Sequence, residues 1–386
     1  MRYRKQMMQC GENEMKKKKI VSIGLLAALS VTLLGACGRQ QNSAGSSLPD
    51  SSGPAEQTVQ DTHPGQERSP LTGQWISAKL AGQRPVALMI SNEIGGYPHY
   101  GLRAADLIYE APMEGDETRY MLVMQNYKKA DKLMPCRSAR HYFIYWAQEQ
   151  DAIYAHYGQS WIAKPKLKAI DDLNGMDGDL ANVTYFRDST RRAPHNAYTN
   201  GRALAAGIQK RKYRTAHKSG FRNGLRFHTD DAKPMELTEG KSAKIVDPGY
   251  YRGKGYFVYD ASRKVYRHYD WGERHRDTNS GKQLEVTNII IQSCKWSVLD
   301  KTHEYLDVVN TGSGKGYYIT RGRYEAITWK KSGKTGPTRY YDSKGKEITL
   351  NQGKTWICAV KTDYMKRTGF YKNKEAFEKA RAKRNA

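Results

Sequence analysis

Eight consecutive residues, Cys136-Arg137-Ser138-Ala139-Arg140-His141-Tyr142-Phe143, hold a thiol, a hydroxyl, two guanidinium groups and an imidazole. Two chemistries fit them. Ser138 stands just before residues at helical spacing, so it reads as an N-cap whose oxygen accepts a first-turn N–H. The remaining free N–H groups of such a turn favour an anion. Arg137 and Arg140 flank it with planar forks that match phosphate or carboxylate. The internal alternative pairs these arginines with the chain's own acids, such as Glu110, Glu114, Asp116 or Glu117. The second chemistry is hydrolytic, with Ser138 as nucleophile and His156 or His195 as base. No GxSxG turn supports it, and a capping oxygen is already engaged.

Two other segments offer groups for the same cleft. "DAIYAHYGQS" puts His156 on an apolar strand that ends in small residues. "RRAPHNAYTN" is a polar loop around Pro194 that carries Arg192, His195, Asn196 and Tyr198. Converging with Arg137, Ser138 and Arg140, they would line one ligand-binding cleft. A lone strand histidine is also a common structural residue, and Asn196 could cap its own turn. No HExxH or His-x-His spacing occurs, so neither metal nor cofactor is expected. "GSGKG", Gly312–Gly316, lacks the spacing of a phosphate loop and reads as a hairpin turn.

These segments need a scaffold. "RPVALMISN" reads as a strand in which Val86, Leu88 and Ile90 alternate with Ala87, Met89 and Ser91. "DLIYEAPME" and "TRYMLVMQNY" are strand-like. In "SARHYFIYWAQEQ", Ala139, Tyr142, Phe143, Trp146, Ala147 and Gln150 recur at helical spacing. "WIAKPKLKAIDDL" is a weaker helix interrupted by Pro165, "VTYFRD" a short strand, and "GRALAAGIQKRK" a helix. Strands and helices interleave, which predicts a mixed α/β domain over 73–225. After a connector, 226–243, short strands and Gly-rich turns predict a β-rich domain over 244–366, a sandwich or partly closed barrel. The fold class is therefore α+β. Residues 367–386 read as a basic, solvated helical tail.

The N-terminus sets the address. Lys16–Lys19, an apolar run Ile20–Leu34 and "LGAC" ending at Cys37 form a secretory signal over 1–36, too short to span a bilayer. Translation starts at Met1 or Met15. Residues 37–72 are rich in Ser, Gln, Gly and Pro and read as a disordered tether.

The 386 residues carry 64 Lys+Arg against 39 Asp+Glu, a net charge of +25. Cleavage after residue 36 removes seven basic and two acidic residues and leaves +20. Such a surface attracts polyanions. The mature chain keeps Cys136, Cys294 and Cys358 beyond Cys37, an odd set with no CxxC. Buried free thiols, or one bridge among them, both fit.

Several phrases carry a resemblance. "LGAC" resembles the lipobox of bacterial lipoproteins, which implies diacylation of Cys37. "RPVALMISN", "ADLIYEAPMEGDETRYMLVMQ", "RSARHYF", "DAIYAHYGQS" and "APHNAYTN" resemble the N-terminal domain of YerB-like lipoproteins. "HRDTNSGKQLEVTNIIIQ", "GSGKGYYITRGRYEAITWKK" and "LNQGKTWICAV" resemble their C-terminal domain. The likeness runs from about Pro85 to Val360. It implies a lipid-anchored protein of a Gram-positive-type bacterium, on the outer face of the cytoplasmic membrane, and it lends no catalytic residue. Family members have an apolar residue where this chain has Cys136, which argues against a shared thiol nucleophile. Near Asp277 they carry a proline that Arg274-His275-Arg276-Asp277 lacks.

The reading is a lipid-anchored extracytoplasmic protein that binds an anionic envelope ligand and is not expected to be an enzyme. The alternatives are a hydrolase or transferase acting on a cell-wall polymer, and an envelope scaffold. Its partners would be the membrane and an anionic polymer, with no intracellular nucleic acid.

Overall fold

Strand alternation in this chain meets apolar material on both sides. Val86, Leu88, Ile90, Leu122 and Met124 join one buried cluster, while Ala87, Met89, Met121 and Val123 join another. Both faces of the Val86–Ser91 and Thr118–Met124 strands are therefore covered, and every residue in them is buried. The structure, a computed structural model, describes residues 63–385. Cys37, the signal and the tether up to residue 62 lie outside the described residues.

The fold is α+β. Its spine is a 12-stranded mixed sheet. One side of it runs Asp172–Asn174, Ile153–His156, Val86–Ser91, Thr118–Met124 and Leu107–Pro112. The other side runs Thr355–Lys361, Asn288–Asp300, Gly312–Thr320, Arg323–Lys331 and Lys241–Ser242. The sides meet where Leu107–Pro112 and Thr355–Lys361 pair in parallel, with Thr355 opposite Leu107 and Cys358 opposite Glu110. The two sequence parts thus share one sheet, and all described residues fall in one compact unit. A six-stranded sheet that includes Ile245–Asp247, Tyr256–Asp260 and Val265–Asp270 covers one face. Its Val246, Phe257 and Tyr266 pack with Ile289, Ile291 and Trp356. The helix His141–Glu149 lies in the opposite apolar layer through Phe143, Trp146 and Ala147.

Several expectations need correcting. The disordered tether does not extend to residue 72: Gln66–Arg68 pairs with Trp75–Ser77, and Leu71 is buried. Pro165 opens the short helix Lys164–Leu167 rather than interrupting one, because the first turn needs no proline N–H. "GSGKG" is strand, not turn. Gly316 is needed there because a Cβ would stand 2.3 Å from the Ile291 carbonyl oxygen. The tail is not simply solvated. Gly369–Tyr371 pairs with Ile245–Asp247, Phe377 is buried, and Arg384 bridges to buried Asp247. Cys136, Cys294 and Cys358 are all buried free thiols. Among the described residues no helix is long and apolar enough to cross a membrane.

One buried ion pair locks the helix layer to the far strands. Lys331 Nζ lies 2.5 Å from Glu149 Oε2 and donates to the carbonyls of Gly336 and Tyr145. Glu149 also accepts from the Tyr109 hydroxyl and from the Thr338 N–H and hydroxyl. Removing one partner leaves an uncompensated charge in the core. Lys331→Met is expected to cost about 3–5 kcal/mol in urea denaturation, and adding Glu149→Gln should recover more than half of it.

Candidate functional site

The three singled-out segments do converge, and backbone hydrogen bonds bring them together. Arg137 N–H donates to the Met89 carbonyl, and Cys136 N–H donates to Ala197. Tyr157 N–H donates to the Arg137 carbonyl, and Ala139 N–H to Gly158. Residues 136–140 are thus extended chain between the Val86–Ser91 strand and the 193–198 loop. Gly158, at φ +77°, makes the turn, and its N–H donates to Asn174 Oδ1.

This corrects the reading of Ser138. The helix starts at His141, its N-cap position is extended Arg140, and no side chain caps it. The Ser138 hydroxyl donates instead to the Tyr157 carbonyl, 3.1 Å away. Arg140 is not at an open helix tip either. It forms a two-pronged pair with Glu114, both N–O distances 2.8 Å, and stacks over Tyr305. The internal alternative holds for Arg140.

Arg137 is different. Its Nη2 lies 2.5 Å from Glu93 Oε1, yet its Nε–H is buried with no acceptor. Glu93 is shared. Arg119 Nη2 stands 3.4 Å from the same oxygen, and His195 Nε2 is 3.6 Å from the other. Burial pushes the Glu93 carboxyl up, but Arg137 and Arg119 outweigh it and hold it below the usual carboxylate range. One carboxylate between two guanidinium groups leaves net positive charge.

Beside Arg137 is an open cavity of about 410 Å³. Arg137, Ser138, Tyr157, Gly158, Gln159 and Arg187 line it, with Met176, Ala193 and Pro194 on the walls and Cys136 beneath. Two guanidinium groups and no carboxylate line it. Arg187 is exposed, lies over the Tyr157 ring and donates to Asn196 Oδ1 at 2.6 Å. Asn196 therefore positions Arg187 rather than facing a ligand.

The other expected site residues fall around the cavity. His156 is fully buried, with Nδ1 against the Gly158 carbonyl at 2.8 Å and Nε2 against Asp172 at 3.0 Å. Both nitrogens are engaged, so it is a structural residue and not a base for Ser138. His195 is partly buried against Glu93, and burial lowers its pKa. Arg192 is exposed on the loop, while Tyr198 lies under the Lys132 ammonium. Sequence reasoning missed Glu93, Tyr157, Gly158, Gln159, Met176 and Arg187. Only Arg187, a basic residue in a short strand beside a polar loop, carried a usable signal.

Residues 71–214 match the family described as "Protein of unknown function (DUF3048) N-terminal domain", and residues 246–357 match its C-terminal domain. The chain is 30% identical over 298 residues to "Putative lipoprotein YerB" of Bacillus subtilis (strain 168), covering 76% of this chain and 86% of that one. A crystal structure of the YerB protein from Bacillus subtilis superposes with a TM-score of 0.69 at 27% identity, covering 79% of this chain and 99% of that one. The chain belongs to this two-part YerB family, as the sequence resemblance implied.

Arg140→Ala should strand Glu114 and lower stability by about 3 kcal/mol in chemical denaturation. The Glu93 carboxyl should titrate below the ordinary carboxylate range by ¹³C NMR and move up in Arg137→Gln. Its folded pKa is depressed, so its contribution to stability is present above the unfolded pKa and lost as pH falls through the folded value.

Proposed function

We propose that this is a lipid-anchored envelope protein, tethered through Cys37 at the outer face of the cytoplasmic membrane. Its Arg137–Arg187 cavity takes an anionic group of an envelope ligand. The carrying observation is the lining of that cavity: two guanidinium groups and no carboxylate. A phosphate, sulfate or carboxylate matches the planar forks of two guanidinium groups, and no acid in the lining competes with it. Arg187 is held in place by the Tyr157 ring and Asn196, so little side-chain freedom is lost on binding. The charge of the mature chain would draw polyanions toward the surface.

A hydrolytic reading has little geometric support. The Ser138 hydroxyl is engaged with a carbonyl and His156 with two acceptors. His195 faces Glu93.

Binding of a poly(glycerol phosphate) probe to the mature chain, followed by calorimetry at physiological salt, tests the reading. Arg187→Gln and Arg137→Gln should each weaken binding about tenfold or more, the share expected of a charge-assisted pair. Diffuse attraction to the whole basic surface would lose almost nothing when one charge is removed. Unchanged affinity in both variants, with melting temperature retained in the exposed Arg187→Gln, would remove the cavity from the account.

A further inference from the structure

The Arg137–Arg187 cavity stands at one end of a pair of parallel strands, and a second basic cavity stands at the other end. Ile153–His156 pairs with Asp172–Asn174, with Tyr154 opposite Asp172 and His156 opposite Asn174. Tyr157 and Met176, just beyond the C-terminal ends of these strands, line the first cavity. Ala152 and Asp171, just before their N-terminal ends, line an open cavity of about 670 Å³. The rise of a β-strand puts Ala152 and Tyr157 about 16 Å apart.

The second cavity has its own excess of positive charge. Arg84, Lys168, Arg214, Lys218 and Arg222 line it together with Glu149, Asp151 and Asp171. The three carboxylates are already matched. Glu149 pairs with Lys331, Asp151 with Arg214, and Asp171 with Arg84. Lys168, Lys218 and Arg222 remain, all exposed and none in an ion pair among the described residues.

A basic stretch of chain joins the two cavities. Gln159 lines the first and Lys168 the second. Between them the chain carries Lys164 and Lys166 and no acid. Lys164 is exposed and opens the short helix Lys164–Leu167, and neither lysine takes part in an ion pair among the described residues. Trp161 is 61% exposed, yet its indole N–H is fixed by Asp300 Oδ2 at 2.7 Å. Its ring is thus held in place while open to water. The neighbouring acids are engaged: Asp300 with Trp161 and His303, and Asp177 and Asp179 with Arg211.

We propose that the ligand is a linear polymer with regularly spaced anionic groups, and that a single polymer chain occupies both cavities by running past Trp161, Lys164 and Lys168. This rests on the anion reading of the Arg137–Arg187 cavity and adds a second contact and a minimum length to it. An isolated anion can satisfy one cavity only. A polymer held at one cavity is at high effective concentration at the other, so reaching it gains affinity beyond that of either contact alone. The exposed face of Trp161 offers the carbon skeleton of the repeating unit an apolar surface on the way.

The test compares a monomer with polymers on the mature chain at physiological salt. Glycerol 3-phosphate is followed by NMR titration, and poly(glycerol phosphate) and polyglutamate of similar length by calorimetry. Lys168→Gln/Lys218→Gln/Arg222→Gln should weaken binding of the favoured polymer by about a hundredfold while leaving glycerol 3-phosphate at the Arg137–Arg187 cavity unaffected. The polymer that shows this loss identifies the repeated charge as phosphate or carboxylate. The same charge loss in the C-terminal helix, Lys374→Gln/Lys379→Gln/Lys383→Gln, should weaken it no more than about threefold. All six lysines and arginines are exposed, and unchanged melting temperatures check that the variants fold. If the cavities act separately, the first variant loses one site per chain and keeps the affinity of the other, which overturns the proposal. An equal loss in the helix variant marks diffuse attraction and also overturns it. Failure of the underlying anion reading looks different, because Arg187→Gln then leaves glycerol 3-phosphate binding intact.

Discussion

The parallel pairing of Leu107–Pro112 with Thr355–Lys361 is the contact on which the rest depends. It joins strands about 250 residues apart into one sheet and sets the register of everything on either side. Trp356 lands beside Glu110, so its indole N–H can satisfy a buried carboxylate. The same register brings the second sheet over the first, placing Asp270 against Tyr97 and Tyr120. A slip of one residue would turn each of these side chains to the opposite face. Lys331 and Glu149 clamp the opposite layer, where the helix meets the far strands.

Much of the local structure is legible in the sequence because local physics decides it. Val86–Ser91 alternates, and both of its faces are apolar. The helix Gly201–Lys210 begins after Asn200, whose side chain accepts from the Ala203 N–H as an N-cap should. The start of the other helix is not legible. Ser138 looks like a cap, but residues 136–140 are held in extended form by partners at Met89, Ala197 and Gly158. Tertiary hydrogen bonds override a local capping preference there. Arg140 pairs with Glu114, one of four acids that sequence alone leaves equivalent.

The halves look separate in sequence because texture reports strand content and not which strands pair. Joining them needs register information that no single segment carries. The contact of His99 with His275, 176 residues further on, is hidden for the same reason. The arginine-lined cavity is half legible: Arg137 and the 193–198 loop stand out in the sequence, whereas Arg187 and Tyr157 depend on how the loop folds back.

The proposed anion binding rests on an imbalance left where the three segments meet. Glu93 offsets one of two guanidinium groups, and the cavity beside them contains a second arginine and no acid. Anomalous diffraction from crystals soaked in selenate locates the favoured anion position directly. A peak is expected in the cavity lined by Arg137 and Arg187, within hydrogen-bond distance of their guanidinium groups. Selenate found only elsewhere, as beside Lys168, Lys218 and Arg222 in the larger basic cavity of about 670 Å³, would contradict it.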